Sequence, residues 1–232
     1  GDAAYEEYWS EFLKSFAAHL KQKGWFEKTT IAMDERALGD MQIALRIIKK
    51  ADPDFKISLA GNYHQEIEPD IYDYCLAFGH NFPADIKAKR EQQGKKSTYY
   101  TCCAEARPNT FTFSPLAEAT WIGWHIAAGN YDGYLRWAYN SWTDDPLRDS
   151  RFRTWAAGDC YMVYPGNRSS IRMERLVEGI QDFEKIQILK KEFEQTGATA
   201  KLDKLNKVLA EFQLEQLVQQ QAAPMVKKGQ AL

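Results

Sequence analysis

Short apolar runs alternate with helical patterns along most of this chain. Each run is six to eight residues long, as in "TTIAMD" (29–34) and "FKISLAG" (55–61). Strands that are separated by helices pair in parallel, because the helix returns the chain to the same end of the sheet. The pattern therefore predicts an α/β fold whose parallel sheet is either open or closed into a barrel. The candidate strands are residues 29–34, 55–61, 71–78, 97–103, 133–140 and 160–166.

The number and order of these elements favour part of a barrel. The chain begins with a helical pattern over 4–23 and offers about six strands, whereas a complete (β/α)8 barrel begins with a strand and has eight. No G-x-G-x-x-G or P-loop fingerprint follows a candidate strand, which argues against a nucleotide-binding fold. We predict a partial (β/α)8, TIM-barrel type fold with C-terminal helices. The predicted helices are residues 4–23, 38–50, 85–94, 115–128, a long helix from 170, and 202–219.

Domain organisation is predicted to be simple. The sequence shows no internal repeat and no linker, so we expect one catalytic domain over residues 1–220. Residues 221–232 have no clear apolar period and are predicted to be a frayed tail.

Composition argues against several classes of partner and cofactor. Thirty Lys and Arg residues against 32 Asp and Glu residues leave no nucleic-acid or membrane-surface footprint. No apolar run approaches the roughly 18 residues of a membrane span, and "GDAAYEEYWSEF" does not resemble a signal peptide. We predict no metal site, because the histidines and cysteines lack ligand spacing. The residues concerned are His64, His80, His125, Cys75, Cys102, Cys103 and Cys160, and the four cysteines are expected to be buried or half-buried free thiols.

Asp34 and Glu35 stand side by side where the first candidate strand ends. In barrels of this type the working residues lie at the carboxyl ends of strands. Neighbours within a regular strand face opposite ways, so both carboxylates can line one cleft only where the strand breaks into a loop. The alternative is a solvated loop whose acids help to start the next helix, with Arg36 as a counter-ion.

A second cluster follows the strand at 133–140. "RWAYNSW" offers flat aromatic faces, a phenol and an amide, which suit a sugar-binding cleft. The same residues also suit an aromatic-rich strand that fills a core, and the sequence leaves both interpretations open. The cluster consists of Trp137, Tyr139, Asn140 and Trp142.

Five stretches together resemble the catalytic domain of glycoside hydrolase family 123, also known as domain of unknown function 4091. They are "HLKQKGW", "IAMDER", "RWAYNSW", "GDCYMVYPG" and "SIRMERLVEGIQDFEKI", and they span residues 19–186 in the expected order. The resemblance implies a (β/α)8 domain and an exo-acting N-acetyl-β-galactosaminidase that needs no cofactor. It favours terminal β-linked GalNAc over GlcNAc as the sugar removed.

The resemblance also implies roles for the site residues. Glu35 is expected to be the general acid/base, and Asp34 is expected to orient the 2-acetamido group of the substrate in substrate-assisted, retaining catalysis. A double-displacement glycosidase instead places two carboxylates on either side of the sugar, about 5–5.5 Å apart, which adjacent residues cannot easily do. Trp137 or Trp142 would form a wall for the sugar, Tyr139 would donate to the acetamido carbonyl, and Asn140 would bind a hydroxyl. His64 completes the predicted substrate-binding set.

The family pattern differs from this chain at its front, where members carry earlier barrel strands and usually a β-sandwich. The resemblance makes a glycan the expected partner. The missing strands add a second expectation, which is self-association through an exposed barrel edge. The resemblance implies a periplasmic or secreted protein. The alternative function is a catalytically silent truncated barrel or a carbohydrate-binding relic.

Overall fold

The computed structural model describes residues 2–77, 79–152 and 155–232. Its strands are β1 (Thr30–Asp34), β2 (Lys56–Gly61), β3 (Asp73–Ala77), β4 (Lys96–Thr101) and β5 (Gly133–Arg136). Its helices are α1 (Ala3–Lys23), α2 (Leu38–Ala51), α3 (Ala84–Gln92), α4 (Ala117–Ala128), α5 (Ile171–Thr196), α6 (Thr199–Leu209), α7 (Leu214–Gln219) and α8 (Ala222–Gln230). The strand order is β1-β2-β3-β4-β5.

The chain divides into two compact units, Gly1–Thr98 and Tyr99–Leu232. The boundary falls within β4, so this strand begins in the first unit and ends in the second. The predicted α/β class, with strands alternating with helices as in part of a barrel, is confirmed. The predicted extent of the catalytic domain, residues 1–220, stays a prediction.

In the first unit, β1, β2 and β3 are parallel. The register pairs Asp34 with Ala60 and Ala60 with Cys75, so the carboxyl ends of the three strands lie together. Alternate side chains of β2, Ile57 and Leu59, are fully buried, which is the expected period of a strand packed against helices. This arrangement brings the residues after β1 next to the residues after β2.

Helix α1 begins and ends at local signals in the sequence. The Asp2 side chain accepts a hydrogen bond from the Tyr5 backbone N–H at 2.8 Å, and Gly24 takes a left-handed conformation with φ 68°. Both are common devices at helix ends. Leu13, Ala17 and Leu20 turn one side of α1 toward the core, as the apolar spacing predicts.

In the second unit, α4 is buried along nearly its whole length and packs against α5. The two helices approach closely where Gly123 faces Gly179, because a Cβ on Gly123 would lie 2.1 Å from the Gly179 carbonyl oxygen. A cluster built on Trp121 and Trp124 also includes buried residues from α6, α7 and α8. No helix among the described residues is long and apolar enough to cross a membrane.

Three predictions about these elements are wrong. Residues 160–166 do not form a strand, because their backbone groups bond to the segment after β5 and to Arg168 instead of to a strand ladder. The helix predicted over 202–219 is interrupted after Leu209, where Phe212 turns into the core and stacks on Trp124 at 4.8 Å. The frayed tail is a helix over Ala222–Gln230, since Met225 and Val226 find apolar partners in the core.

Smaller differences concern the ends of elements. The strand predicted over 133–140 ends at Arg136, and the helix predicted over 115–128 begins at Ala117. Phe78, the last residue of the strand predicted over 71–78, lies outside the described residues. Three cysteines are free and buried or half-buried as predicted, but Cys103 is exposed, because β4 has already ended at Thr101.

Candidate active site

The adjacent carboxylates Asp34 and Glu35 lie where β1 ends. Asp34 is the last residue of the strand and shares the exposed face of Thr30 and Ala32, whereas Glu35 follows the strand and is half-buried. Successive strand residues point to opposite sides, so the two side chains leave the backbone in different directions. The strand break predicted from the sequence is therefore located between these two residues.

The Glu35 carboxylate is held by the end of the neighbouring strand. Its Oε1 accepts a hydrogen bond from the Asn62 backbone N–H at 2.9 Å. The side chain lies directly against Gly61, where an added Cβ would be 2.7 Å from the Glu35 Cδ. Glycine at this position therefore makes room for the carboxylate.

Asp34 turns instead toward Arg36, with 2.5 Å between Oδ2 and Nη1. Both side chains are about two-thirds exposed, at 70% and 67%, so this ion pair contributes little to stability and can open. Arg36 is thus the counter-ion that the sequence suggests. The pair lines one end of a largely apolar groove of about 290 Å³ between α1, β1 and α2.

His64 lies in the loop after β2, two residues beyond the amide that binds Glu35. Its backbone N–H donates to the Tyr74 hydroxyl at 2.9 Å, and its side chain is half-buried. The first unit therefore brings Asp34, Glu35 and His64 to the same end of its strands. Of these three predicted site residues, Glu35 shows the most defined placement.

The aromatic cluster follows β5 in the second unit. Trp137, Tyr139 and Trp142 are 42–52% exposed, so they are not the core-filling strand of the alternative interpretation. Tyr139 borders a cavity of about 310 Å³ formed with α4, β5 and α5. The Trp142 indole N–H donates to the Val163 carbonyl at 2.8 Å, which fixes the orientation of that ring.

Residues 159–163 support this aromatic segment from beneath. The Ala138 and Ser141 N–H groups donate to the carbonyls of Asp159 and Cys160, and the Met162 N–H donates to the Tyr139 carbonyl. Asn140 forms an isolated antiparallel bridge with Tyr161. An irregular segment thus gains the main-chain bonds that a strand would otherwise provide.

A family model described as "Glycoside hydrolase 123, catalytic domain" matches residues 1–189. The chain belongs to glycoside hydrolase family 123. Its fold is similar to that of a family 123 glycoside hydrolase from Clostridium perfringens, whose structural analysis concerned glycolipid glycan hydrolysis, with a TM-score of 0.78 and 28% identity. The match covers 90% of this chain and 38% of that protein, so the chain spans 38% of that relative's length. A search of the curated proteins returned no match.

The family 123 motif "GDCYMVYPG" has a clear structural task in this chain. Its first residues carry the carbonyls that bind the aromatic segment, and Asp159 also pairs with Arg136 at 2.8 Å, with both side chains buried. Arg136 immediately precedes Trp137, so this pair anchors the beginning of the exposed aromatic segment. Neither residue was predicted as part of the site, although both are charged residues within largely apolar motifs.

The second family 123 motif, "SIRMERLVEGIQDFEKI", opens helix α5. Ser170 caps the helix, accepting from the Met173 N–H at 3.1 Å. Arg175 and Glu178 form an i,i+3 ion pair on the helix surface. Arg172 is buried and donates to the carbonyls of Thr110, Gly158 and Tyr161.

In the part of the chain that the structure describes, no three His, Cys, Asp or Glu side chains come together as ligands for a metal ion. His125 is buried and stacks on Trp121 at 5.1 Å, and its Nδ1 lies 2.9 Å from the Phe212 carbonyl oxygen. It is a core histidine with a hydrogen-bond partner.

Proposed function

We propose that this family 123 domain is a glycoside hydrolase that removes terminal β-linked N-acetylhexosamine, GalNAc in preference to GlcNAc, by substrate-assisted retaining catalysis. The observation that carries the proposal is the carboxylate of Glu35, held by the Asn62 N–H, beside the exposed Asp34 at the carboxyl end of a strand. The C. perfringens relative, studied for glycolipid glycan hydrolysis, supports a glycan substrate.

Glu35 acts as the general acid and then as the general base. In the first step the acetamido carbonyl oxygen attacks the anomeric carbon, the glycosidic bond breaks, and the leaving oxygen takes the Glu35 proton. In the second step Glu35 takes a proton from water as the water oxygen attacks the anomeric carbon and the oxazolinium ring opens. The two inversions retain the anomeric configuration.

Asp34 stabilises the positive charge that develops on the acetamido group. Its carboxylate accepts a hydrogen bond from the acetamido N–H, which orients the carbonyl oxygen for attack. This role requires Asp34 to exchange Arg36 for the substrate. Because that ion pair is exposed, breaking it costs little free energy.

The exposed aromatic segment binds the sugar. Tyr139 donates to the acetamido carbonyl, Trp137 or Trp142 provides an apolar wall, and Asn140 binds a hydroxyl group. Their support is the exposure of these side chains on a braced backbone. His64 belongs to the same proposal through its place beside the Glu35 loop.

A glycan substrate of this kind favours the periplasm or the exterior of the cell as the site of action. Self-association through an exposed barrel edge stays a prediction, and equilibrium sedimentation tests it. Neither point bears on the proposed chemistry.

The test compares the chain with Glu35→Gln on the 4-nitrophenyl β-glycosides of GalNAc and GlcNAc. We expect turnover of both sugars with GalNAc preferred, and a loss of about 10²–10⁴-fold in kcat for the variant. Glu11→Gln, which changes an exposed carboxylate on α1, is the matched control and should leave turnover unchanged.

Equal activity of the chain and Glu35→Gln would contradict the assignment of Glu35. Sugar binding without turnover in either protein would favour the carbohydrate-binding relic. A GlcNAc preference would correct the specificity and leave the mechanism standing.

A further inference from the structure

The loop that holds Glu35 is itself held by one buried side chain. Residues 62–64 follow β2 and have no regular secondary structure. The Tyr74 hydroxyl, on β3, donates to the Asn62 carbonyl at 2.7 Å and accepts from the His64 N–H at 2.9 Å. One hydroxyl therefore bonds the backbone on both sides of Tyr63.

Tyr74 has little room to move. Its side chain is fully buried, and its ring meets Phe82 edge-on, with 5.7 Å between the ring centroids. The Arg90 guanidinium lies 5.6 Å from the ring centroid and is itself fixed by Glu68 and by three carbonyls. The hydroxyl is thus presented to the loop from a rigid base.

The protonation of Tyr74 suits this contact. Burial raises its pKa to about 12, so the hydroxyl keeps the proton that it donates to Asn62. The contact is consequently present over any pH range in which a carboxylic acid can act as the catalytic acid.

We propose that Tyr74 is a positioning residue for Glu35, clamping loop 62–64 so that the Asn62 amide holds the carboxylate in place. The proposal rests on the proposed role of Glu35 as the general acid/base. The chain of contacts runs from the Tyr74 hydroxyl to the Asn62 carbonyl, and from the Asn62 N–H to the Glu35 Oε1. Within the described part of the chain no hydrogen bond reaches Oε2, which leaves that oxygen for the proton that the leaving group receives.

Tyr74→Phe removes the clamp and keeps the ring. Tyr63→Phe is the matched control, since Tyr63 lies 6.0 Å away between ring centroids and its buried hydroxyl has no partner among the described residues. In amide hydrogen exchange followed by NMR, we expect the Asn62 and His64 amides to exchange about tenfold faster in Tyr74→Phe. Tyr63→Phe should keep the rates of the unaltered chain.

The second readout is how kcat depends on the leaving group of the β-GalNAc substrate. Hydrolysis of the dinitrophenyl glycoside needs little general-acid catalysis, whereas hydrolysis of the methyl glycoside needs a correctly placed acid. For Tyr74→Phe we expect kcat to fall about tenfold on the methyl glycoside and less than about twofold on the dinitrophenyl glycoside. A merely structural loss would lower both equally.

Three results distinguish a failure of the Tyr74 proposal from a failure of the proposed glycosidase function. An Asn62 amide that keeps its exchange rate in Tyr74→Phe overturns the proposal, whether or not turnover is seen. Equal losses on the two glycosides overturn it as well. Faster Asn62 exchange in a chain that turns over neither glycoside supports the clamp and contradicts the proposed function.

A second variant covers poor folding of Tyr74→Phe. Gly61→Ala leaves Tyr74 intact and pushes the Glu35 side chain directly, because the new Cβ would lie 2.7 Å from its Cδ. The same selective loss on the methyl glycoside is expected. Unchanged selectivity in Gly61→Ala would overturn the dependence of catalysis on the placement of Glu35.

Discussion

At the scale of single residues, the end of β1 shows how two like side chains acquire different surroundings. Asp34 still belongs to the strand and faces an exposed arginine, whereas Glu35 has left the strand and lies across the end of β2. The difference follows from the alternation of side chains along a strand. It gives one carboxylate an exposed side-chain partner and the other a main-chain donor, which fits the proposed roles of an orienting anion and a catalytic acid.

An ion pair also connects the last turn of α1 to the residue that follows α2. Lys21 bonds to the buried Asp52, and the Asp54 N–H adds a second bond. Burial raises the pKa of Asp52, but these hydrogen bonds outweigh burial, so the pKa is lowered overall. A lowered carboxyl pKa stabilises the fold above its unfolded-state value, and that stability is lost as the pH falls through the folded-state value.

Lys21→Met should therefore destabilise the chain in a pH-dependent manner. We expect a loss of about 0.5–1 kcal/mol near pH 7, because Lys21 is half-exposed. The gap should begin to close as the pH falls below about 4, where Asp52 protonates in the unfolded state, and should vanish below its lowered folded-state pKa. Urea unfolding at a series of pH values measures it, with Lys14→Met, which loses only an exposed pair, as the control. A gap that persists at low pH would contradict the ion-pair explanation.

The sequence correctly predicted that Asp34 and Glu35 lie where a parallel strand ends, because they directly follow a short apolar run. It could not predict what holds Glu35. The partner is a main-chain N–H 27 residues away, and a backbone donor leaves no side-chain signature. The Tyr74 clamp escaped prediction for the same reason, since it acts on backbone groups.

At the scale of elements, the packing of α4 against α5 depends on two small residues. Gly123 faces the Gly179 carbonyl, and Gly179 in turn lies close to the Thr120 backbone. Backbone atoms on both sides cannot yield as a flexible side chain could. The contact thus sets the distance between the two helices that carry much of the core of the second unit.

Gly123→Ala should accordingly be destabilising even though alanine is the better helix former. We expect a loss of about 1–3 kcal/mol from overpacking, or a fall of several degrees in the melting temperature. Gly39→Ala is the matched control, because Gly39 lies in α2 and nothing is within 4 Å of its added Cβ. Thermal unfolding of the two variants would contradict this account if Gly123→Ala were as stable as Gly39→Ala.

The sequence predicted strands and helices correctly where the pattern of apolar residues corresponds to a buried face of the element. The first five candidate strands are all present, because each is a short apolar run between helices. Residues 160–166 look the same in sequence, and Cys160, Tyr161 and Met162 are indeed buried. Their backbone, however, pairs with a loop, and apolar content alone does not reveal the hydrogen-bond partner of a segment.

At the scale of the whole molecule, the residues of the proposed site are divided between two compact units. The carboxylates and the Tyr74 clamp belong to Gly1–Thr98, and the braced aromatic segment belongs to Tyr99–Leu232. Family membership was predictable because long motifs of the chain form structural contacts. "GDCYMVYPG", for example, supplies carbonyls that accept hydrogen bonds from the aromatic segment. The sugar specificity is not encoded in these supporting contacts and rests on the proposal.

In the proposed mechanism the acetamido oxygen of the substrate, and not a protein carboxylate, attacks the anomeric carbon. The most direct measurement is kcat/KM for 4-nitrophenyl β-glycosides whose N-acetyl group carries zero, one, two or three fluorine atoms. Fluorine withdraws electrons from the attacking oxygen, so the account predicts a steep fall, about tenfold or more across the series. A flat series would contradict the account, because it would mean that the acetamido group takes no part in the attack.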